Sequence, residues 1–288
     1  MNKPEYLAPT TIEEAFEALK SNPEGAMIIA GGTDMVPRMR VGVFDPELLV
    51  DLRLLGLNEI KDAGDWISIG ASATHTDILE SDLLAEYYPA LIEAARDVAG
   101  PPIRNRGTLG GNLVNASPAA DLATPLIAYD ALAVIAGQNG ERDVPLSRFF
   151  TGPGKTVLEA GEILVEIKVP KAPAKTGAKF TKLGKRKAMA IAVVSAAVRI
   201  SLDDDGVISQ ARIGLGSVAP VPLRVQKAEE VLEGQKPDED LFVKAGQAAS
   251  DACNPITDLR STGEYRKKMV SVLVRRALAA AWTDLQAE

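Results

Sequence analysis

An α+β fold in three successive parts is what the chain predicts, with residues 1–57 and 58–175 as two subdomains of one unit and residues 176–288 as a C-terminal α+β domain. Three observations carry this. A strand, a glycine pair and a helix start follow one another near the N-terminus. Strands and short helical segments then alternate up to a Pro- and Lys-rich stretch. Beyond it a run of strands gives way to a run of helices, the order expected of a small antiparallel sheet with helices set apart from it.

In chain order, Thr10 and Thr11 precede Ile12, Ala15, Phe16 and Leu19, an apolar stripe at helical spacing, and Thr11 with Glu14 has capping-box form. Ala26-Met27-Ile28-Ile29-Ala30 is a short strand that runs into Gly31-Gly32-Thr33-Asp34, after which Met35, Arg38, Met39 and Arg40 fit a helical turn. Leu48-Leu49-Val50-Asp51-Leu52 is a second strand, and the turn at Leu55-Gly56-Leu57 closes a β-α-β subdomain. Trp66-Ile67-Ser68-Ile69-Gly70 alternates as a half-buried strand does. Helices are expected near residues 77–87 and 89–98, then a glycine-rich loop over 104–112. Strands over 132–136 and 143–144 flank Asn139-Gly140, a hairpin signal. Phe149-Phe150-Thr151-Gly152-Pro153-Gly154-Lys155 reads as a surface turn over a hydrophobic anchor, and residues 162–170 as a strand ending in the linker Lys171-Ala172-Pro173-Ala174-Lys175-Thr176-Gly177.

Past the linker, residues 178–183, 191–202 and 207–215 read as strands. Asp203-Asp204-Asp205-Gly206 is expected as a hairpin turn in preference to a calcium loop. Residues 224–232, 241–252 and 263–288 are helical in pattern. In the last of these Tyr265, Met269, Val272, Leu273, Arg276 and Leu278 combine an apolar face with a basic one.

Composition narrows the function classes. With 46% hydrophobic and 25% charged residues, the balance is that of an ordinary soluble globular protein. The net charge of −7 and the lack of a long basic run argue against a nucleic-acid partner. Cys253 is the only cysteine and His75 the only histidine. An internal disulfide, a Cys-rich zinc site and an iron–sulfur cluster held by this chain alone are thereby excluded. His75 is expected as a satisfied or supporting histidine and Cys253 as a buried, inert thiol. Residues 1–10 lack the apolar core of a secretory signal, and no apolar run approaches the ~20 residues of a membrane span, so a cytoplasmic location is expected.

The chemistry concentrates in Arg104-Asn105-Arg106-Gly107-Thr108-Leu109-Gly110-Gly111-Asn112, continuing through Asn115, Ser117, Pro118 and Asp121. A mere change of direction needs fewer glycines and no such polar series. Glycines let backbone approach a ligand closely, and their amides can form a concavity of donors that suits phosphate oxygens. Gly31-Gly32 at a helix start has the same potential, although it is not the G-x-G-x-x-G fingerprint and by itself is equally a tight turn. Two such segments converging on one diphosphate give a cofactor cradle without naming the cofactor.

Together, Ala30-Gly31-Gly32-Thr33-Asp34 and Gly107-Thr108-Leu109-Gly110-Gly111-Asn112, with Asn115-Ala116-Ser117-Pro118 and Asp121, resemble the FAD-binding medium subunit of the molybdenum hydroxylases, the family of xanthine dehydrogenase and carbon monoxide dehydrogenase. Phe150 to Lys155, Glu162-Ile163-Leu164, Lys182, Glu264-Tyr265-Arg266 and Arg275-Arg276 look like further landmarks and extend the resemblance over the whole chain. It implies a two-subdomain FAD-binding fold of the vanillyl-alcohol-oxidase/PCMH type ahead of the C-terminal domain. It places Met27, Ile28, Ile29, Ala30, Gly31, Gly32, Thr33, Asp34 and Met35, with Thr108, Leu109, Gly110, Gly111 and Asn112, around the FAD diphosphate and ribityl chain. Asp121 would contact the flavin nucleotide, and Ile163 and Leu164 would pack on its isoalloxazine or adenine part. Lys182 would lie by the pyrimidine side, where a cation favours the reduced, anionic flavin; read without the family it is a solvated strand-edge lysine.

The function implied is an electron-transfer subunit of an oxidoreductase, with non-covalent FAD, no catalytic residue and no metal of its own. Molybdopterin is expected on a large partner subunit and two-iron, two-sulfur clusters on a small one, in a dimer of heterotrimers. Electrons would leave to NAD or another acceptor. Thr33-Asp34 and Thr151-Gly152-Pro153-Gly154-Lys155 look more like the xanthine dehydrogenase branch. Ala188-Met189-Ala190 departs from relatives that carry acidic residues or a tyrosine facing the flavin, which leaves the acceptor open. Two other readings stand beside this one: a self-sufficient FAD-dependent reductase of the same broad fold, and a flavin-free scaffold subunit.

Overall fold

The computed structural model describes residues 3–287. A three-stranded parallel sheet comes first, with Leu48–Asp51 central between Glu5–Leu7 and Ala26–Ile29. The crossing helix Ile12–Ser21 forms as its caps predict: Thr11 accepts from the Glu14 amide, and Glu14 Oε2 accepts from the Thr10 amide at 2.9 Å. Its buried face is Ala15, Phe16, Ala18 and Leu19. Glu5–Leu7 is not evident from the sequence, because three residues are too short a run to show alternation and become a strand by pairing with Leu48–Val50. The unit is therefore β-α-β-α-β, not β-α-β.

A five-stranded antiparallel sheet follows, in the order Ile60–Asp62, Trp66–Gly70, Ile163–Pro170, Leu132–Gly137, Gly140–Pro145. Its middle strand is buried on both faces. Leu164, Ile167 and Val169 enter the main core with Tyr88 and Tyr129, while Ile163 and Val165 pack with Phe16, Leu19, Val50 and Leu52 of the first unit. The expected helix over 77–87 is two helices, His75–Glu80 and Asp82–Tyr87. Ser81 ends the first and caps the second through its hydroxyl, which accepts from the Leu84 amide at 3.2 Å.

One correction bears on the site. The expected loop over 104–112 shrinks to residues 105–108 between two short helices, Pro101–Arg104 and Leu109–Val114. Thr108 caps the second, its hydroxyl accepting from the Gly111 amide at 3.0 Å. Gly110 is demanded by packing: a Cβ there would stand 2.7 Å from the Ala71 carbonyl oxygen. Gly110 marks the close approach of this helix to the turn that follows the strand Trp66–Gly70.

The C-terminal sheet is antiparallel, in the order Thr176–Leu183, Val194–Leu202, Ile208–Gly216, Leu223–Arg224. Helices Gln226–Leu232, Glu239–Asp251 and Gly263–Ala287 share its core. Thr176 and Gly177 belong to the first strand, so the linker is shorter than expected. The other face meets the helix Ala123–Ala128 so tightly that a Cβ on Gly214 would come 2.2 Å from the Thr124 carbonyl oxygen. At the same junction Asp130 accepts from three arginines, Arg199 at 3.2 Å, Arg212 at 2.8 Å and Arg224.

The Asp203 carboxylate accepts from the Asp205 and Val207 amides at 3.0 and 2.8 Å, closing the hairpin on itself. Among the described residues no group of His, Cys, Asp and Glu is arranged to hold a metal ion, and no helix is long and apolar enough to cross a membrane. Cys253 is buried, and burial pushes its thiol up to about 12.

Candidate functional site

A cleft of about 650 Å³ is lined from both the parallel and the five-stranded sheets, a volume in the range of ~300–1,000 Å³ common for small-molecule sites. The whole segment Met27 to Met35 lines it, as do Thr108, Gly110, Gly111, Asn112, Ile163 and Leu164. Gly31 and Gly107, both lining residues, bring the two glycine segments into contact. A Cβ on Gly31 would stand 1.9 Å from the Arg106 carbonyl oxygen and 3.0 Å from Gly107 Cα. Gly32 takes a φ of +71°, which turns the strand Ala26–Ile29 into the helix Met35–Arg40.

The two segments differ in what they offer. In the second, the amides of Leu109, Gly110, Gly111 and Asn112 are all committed, to Ala73 O, Ala71 O, Thr108 Oγ1 and Thr108 O. It cannot supply the concavity of free donors expected of it. In the first, the amides of Gly31, Gly32, Thr33 and Asp34 have no acceptor among the described residues. Free amides in succession suit an anion. The second segment contributes wall and close approach instead.

Three buried polar atoms without a partner belong to residues lining this cleft: Ser72 Oγ, His75 Nδ1 and Asn112 Oδ1. Such atoms cost free energy in a protein interior and cluster where a ligand or water completes them. With the free amides they fit a polar, phosphate-bearing ligand. Ser72 and His75 were not among the anticipated site residues. Nothing in Ala71-Ser72-Ala73-Thr74-His75 marks them beyond a helix start, since the chain turn that brings them to the cleft is fixed by the His75 amide donating to Gly107 O at 3.0 Å.

His75, expected as a satisfied or supporting histidine, has its Nδ1 without a partner and so is not satisfied within the fold. Burial, with nearby Arg104 adding to it, holds its imidazole down at about 4 against an ordinary 6.5. As pH falls from 6.5 towards 4 the unfolded chain takes up a proton that the folded chain refuses, so this group lowers stability on acidification through that window. Because it is the only histidine, its ring-proton NMR signals are expected to stay flat between about pH 8 and pH 5, where an exposed imidazole titrates fully. A midpoint near 6.5 would contradict its burial.

Leu109, Asp121 and Lys182 do not line the cleft. Leu109 is fully buried in the main core. Lys182 is no solvated strand-edge residue: its side chain is 5% exposed, and its ammonium donates to Asp121 Oδ2 at 2.5 Å and Asp97 O at 3.0 Å. The pair adjoins the cleft through Asp97, whose neighbour Val98 is a lining residue. Burial raises the Asp121 carboxyl to about 6, against the pull of Lys182.

The family model of the FAD binding domain in molybdopterin dehydrogenase matches residues 2–172, and that of the CO dehydrogenase flavoprotein C-terminal domain matches residues 179–281. The chain belongs to the FAD-binding medium subunits of the molybdenum hydroxylases. The carbon monoxide dehydrogenase medium chain of Hydrogenophaga pseudoflava is 37% identical over 96% of both chains. The xanthine dehydrogenase FAD-binding subunit of Escherichia coli O157:H7 is 33% identical over 98% of both. A solved carbon monoxide dehydrogenase from Hydrogenophaga pseudoflava superposes with a TM-score of 0.94 over 98% of each chain, at 37% identity. The leaning of the loop motifs towards the xanthine dehydrogenase branch is thus not reflected in overall identity. As a member of this family the medium subunit is an FAD-binding oxidoreductase component.

Proposed function

We propose that this medium subunit is the flavin relay of a molybdopterin-dependent hydroxylase or dehydrogenase. It takes electrons from two-iron, two-sulfur clusters on a small partner subunit and passes them to NAD or another acceptor. Substrate is oxidised at molybdopterin on a large partner, and the assembly is a dimer of heterotrimers. When bound, FAD supplies redox chemistry that couples one-electron donors to a two-electron acceptor; the protein supplies position and electrostatics. The observation that carries this is the pinch at Gly31 and Arg106, which closes one cleft from two glycine segments distant in sequence.

In this reading the free amides of Gly31 to Asp34 bind the diphosphate, with Met27 to Ala30 and Met35 forming the adjoining walls. Thr108, Gly110, Gly111 and Asn112 form the opposite side, and Leu109 serves only by anchoring that helix in the core. Ile163 and Leu164 provide apolar contact surface. Asp121 and Lys182 act from beside the cleft as a fixed ion pair.

Purified full-length protein is expected to keep a yellow chromophore through gel filtration, and its partners to carry molybdenum and iron. Refolded protein with no FAD and no affinity for it would overturn the proposal. A lone chain reducing a substrate with NADPH would replace it by the self-sufficient reductase.

A further inference from the structure

The residues that line the cleft all fall between Leu19 and Leu164, so the C-terminal domain contributes none of them. That domain nevertheless holds the flank of the cleft through one buried helix, Ala123–Ala128. Asp121 precedes this helix and Asp130 follows it, about 13 Å apart at roughly 1.5 Å per residue. Each carboxylate meets cations of the C-terminal sheet. Asp121 Oδ2 accepts from Lys182 at 2.5 Å, and Asp130 accepts from Arg199 at 3.2 Å, Arg212 at 2.8 Å and Arg224. The register of the sheet explains why both ends fit. Lys182 pairs with Ser195, Arg199 with Arg212, and Arg224 with Gly214, which itself pairs with Ala197. Residues 195, 197 and 199 point to one face, so the four cations share it, with about 13 Å between the rows of Ser195 and Arg199. Spacing along the helix thus matches spacing along the strand. Between the two ends the helix lies flush. A Cβ on Gly214 would stand 2.2 Å from the Thr124 carbonyl oxygen, and Thr124 Oγ1 is 3.2 Å from Ser195 Oγ.

At the Asp130 end, each half of the contact is unfavourable without the other. Asp130 has a φ of +56°, in the region that favours glycine, and its carboxylate faces the negative end of the helix dipole. On the sheet, Arg199 stands directly opposite Arg212, a like-charge pair that weakens strand pairing. Arg199 is also buried, at 3% exposed. Glu229 accepts from Arg224 and Glu233 from Arg212, each at 3.0 Å. Both belong to the C-terminal domain, and neither reaches Arg199. Asp130 alone of these acids comes from across the junction, and it bonds all three arginines. Without it a buried guanidinium loses its counter-ion, which is costly, and the helix loses its hold at that end.

We propose that Asp130 is a positioning residue for the flavin site: by clamping the far end of the helix Ala123–Ala128 to the C-terminal sheet, it keeps Asp121 on Lys182 beside the cleft. The C-terminal domain thereby acts on the cofactor through one helix while lining none of the cleft. Only the second of two measurements rests on the relay reading above. In the first, the full chain is unfolded in urea at pH 8 as wild type, Asp130→Asn, Lys182→Met and the double variant. Substitutions this far apart ordinarily add, to within about twofold in the folding equilibrium constant. Here Lys182→Met is expected to lower that constant at least about fivefold less in the Asp130→Asn background than in the wild type. Additivity within about twofold overturns the proposal. Should Asp130→Asn not fold, Arg212→Gln removes one of the three donors, keeps the aspartate and runs the same cycle. The second measurement is the flavin reduction potential of the FAD-loaded protein. Asp130→Asn is expected to shift it in the same direction as Lys182→Met, and to shift it no further once Lys182→Met is present. Loss of stability alone produces no such pattern. A wild-type potential in Asp130→Asn, where Lys182→Met moves it, overturns the proposal. A wild-type chain that takes up no FAD overturns the relay reading, and the urea cycle still decides the role of Asp130.

Discussion

Gly31→Ala is expected to empty the protein of flavin. The added methyl would stand 1.9 Å from the Arg106 carbonyl oxygen, and that atom is backbone, so no rotamer change relieves the overlap. Either Gly31 or the Arg106-Gly107 segment has to move. The second is tethered: Gly107 O accepts from the His75 amide at 3.0 Å, and Gly107 N donates to Ile103 O at 2.6 Å. The displacement therefore falls on the first segment and takes the free amides of Gly31 to Asp34 out of line. Overpacking of this kind costs about 1–3 kcal/mol or more, and each ~1.4 kcal/mol is tenfold in affinity. The expected result is a loss of FAD affinity of at least about tenfold, read as flavin absorbance per chain after gel filtration and as a dissociation constant by flavin fluorescence. Gly32→Ala should also weaken binding, through its φ of +71°, whereas Gly42→Ala has the same kind of φ, meets nothing within 4 Å and serves as the control for backbone strain alone. If Gly31→Ala retains FAD as the wild type does, the two segments do not pinch the cofactor.

How much of this was legible in the sequence follows from how local each cause is. The strand and turn over 26–34 declare themselves, because an apolar run into a glycine pair is a local pattern and the helix start follows directly. The helix Leu109–Val114 reads as loop in the sequence because consecutive glycines are poor helix formers. Its helicity comes from the Thr108 cap and from the shelf of Ala71, which leaves no room for a side chain at Gly110. Of the second glycine segment, Thr108, Gly110, Gly111 and Asn112 line the cleft and Leu109 does not, and the amides from Leu109 to Asn112 are spent on the fold. Glu5–Leu7 could not be seen, because its only strand-forming influence is a neighbour forty-odd residues later. Arg266 belongs to a helix that reads as combining an apolar face with a basic one, and its burial is decided by the carbonyls of Val193 and Ser217, far from it in sequence. Local chemistry announced the cleft. What faces it was settled by long-range contacts.

Lys182→Met is expected to cost more stability at pH 8 than at pH 5, a signature that only a buried pair produces. In the wild type, burial lifts the Asp121 carboxyl from 3.8 to about 6 even with Lys182 beside it. For an acid raised on folding, the folded chain holds the proton more tightly than the unfolded one between these values. Stability from this group is thus present below pH 3.8 and lost as pH rises through 6, a total on the order of 3 kcal/mol at ~1.4 kcal/mol per unit. Removing Lys182 removes the attraction that offsets burial, so the carboxyl rises further and the loss continues to higher pH. Breaking a buried pair in this way costs about 3–5 kcal/mol, which at roughly 2–4 °C per kcal/mol lowers the melting temperature by about 6 °C or more at pH 8. At pH 5 the carboxyl is largely protonated in both proteins and the deficit shrinks. Adding Asp121→Asn to Lys182→Met should recover part of the loss at pH 8, because no buried charge is then left unpaired. An equal deficit at both pH values would mean that Lys182 acts by packing alone. The same variants separate stability from redox tuning: the pair lies beside the cleft and not in its lining, so the double variant should keep FAD, and the shift in its flavin reduction potential relative to wild type measures how far the Lys182 charge reaches across that wall.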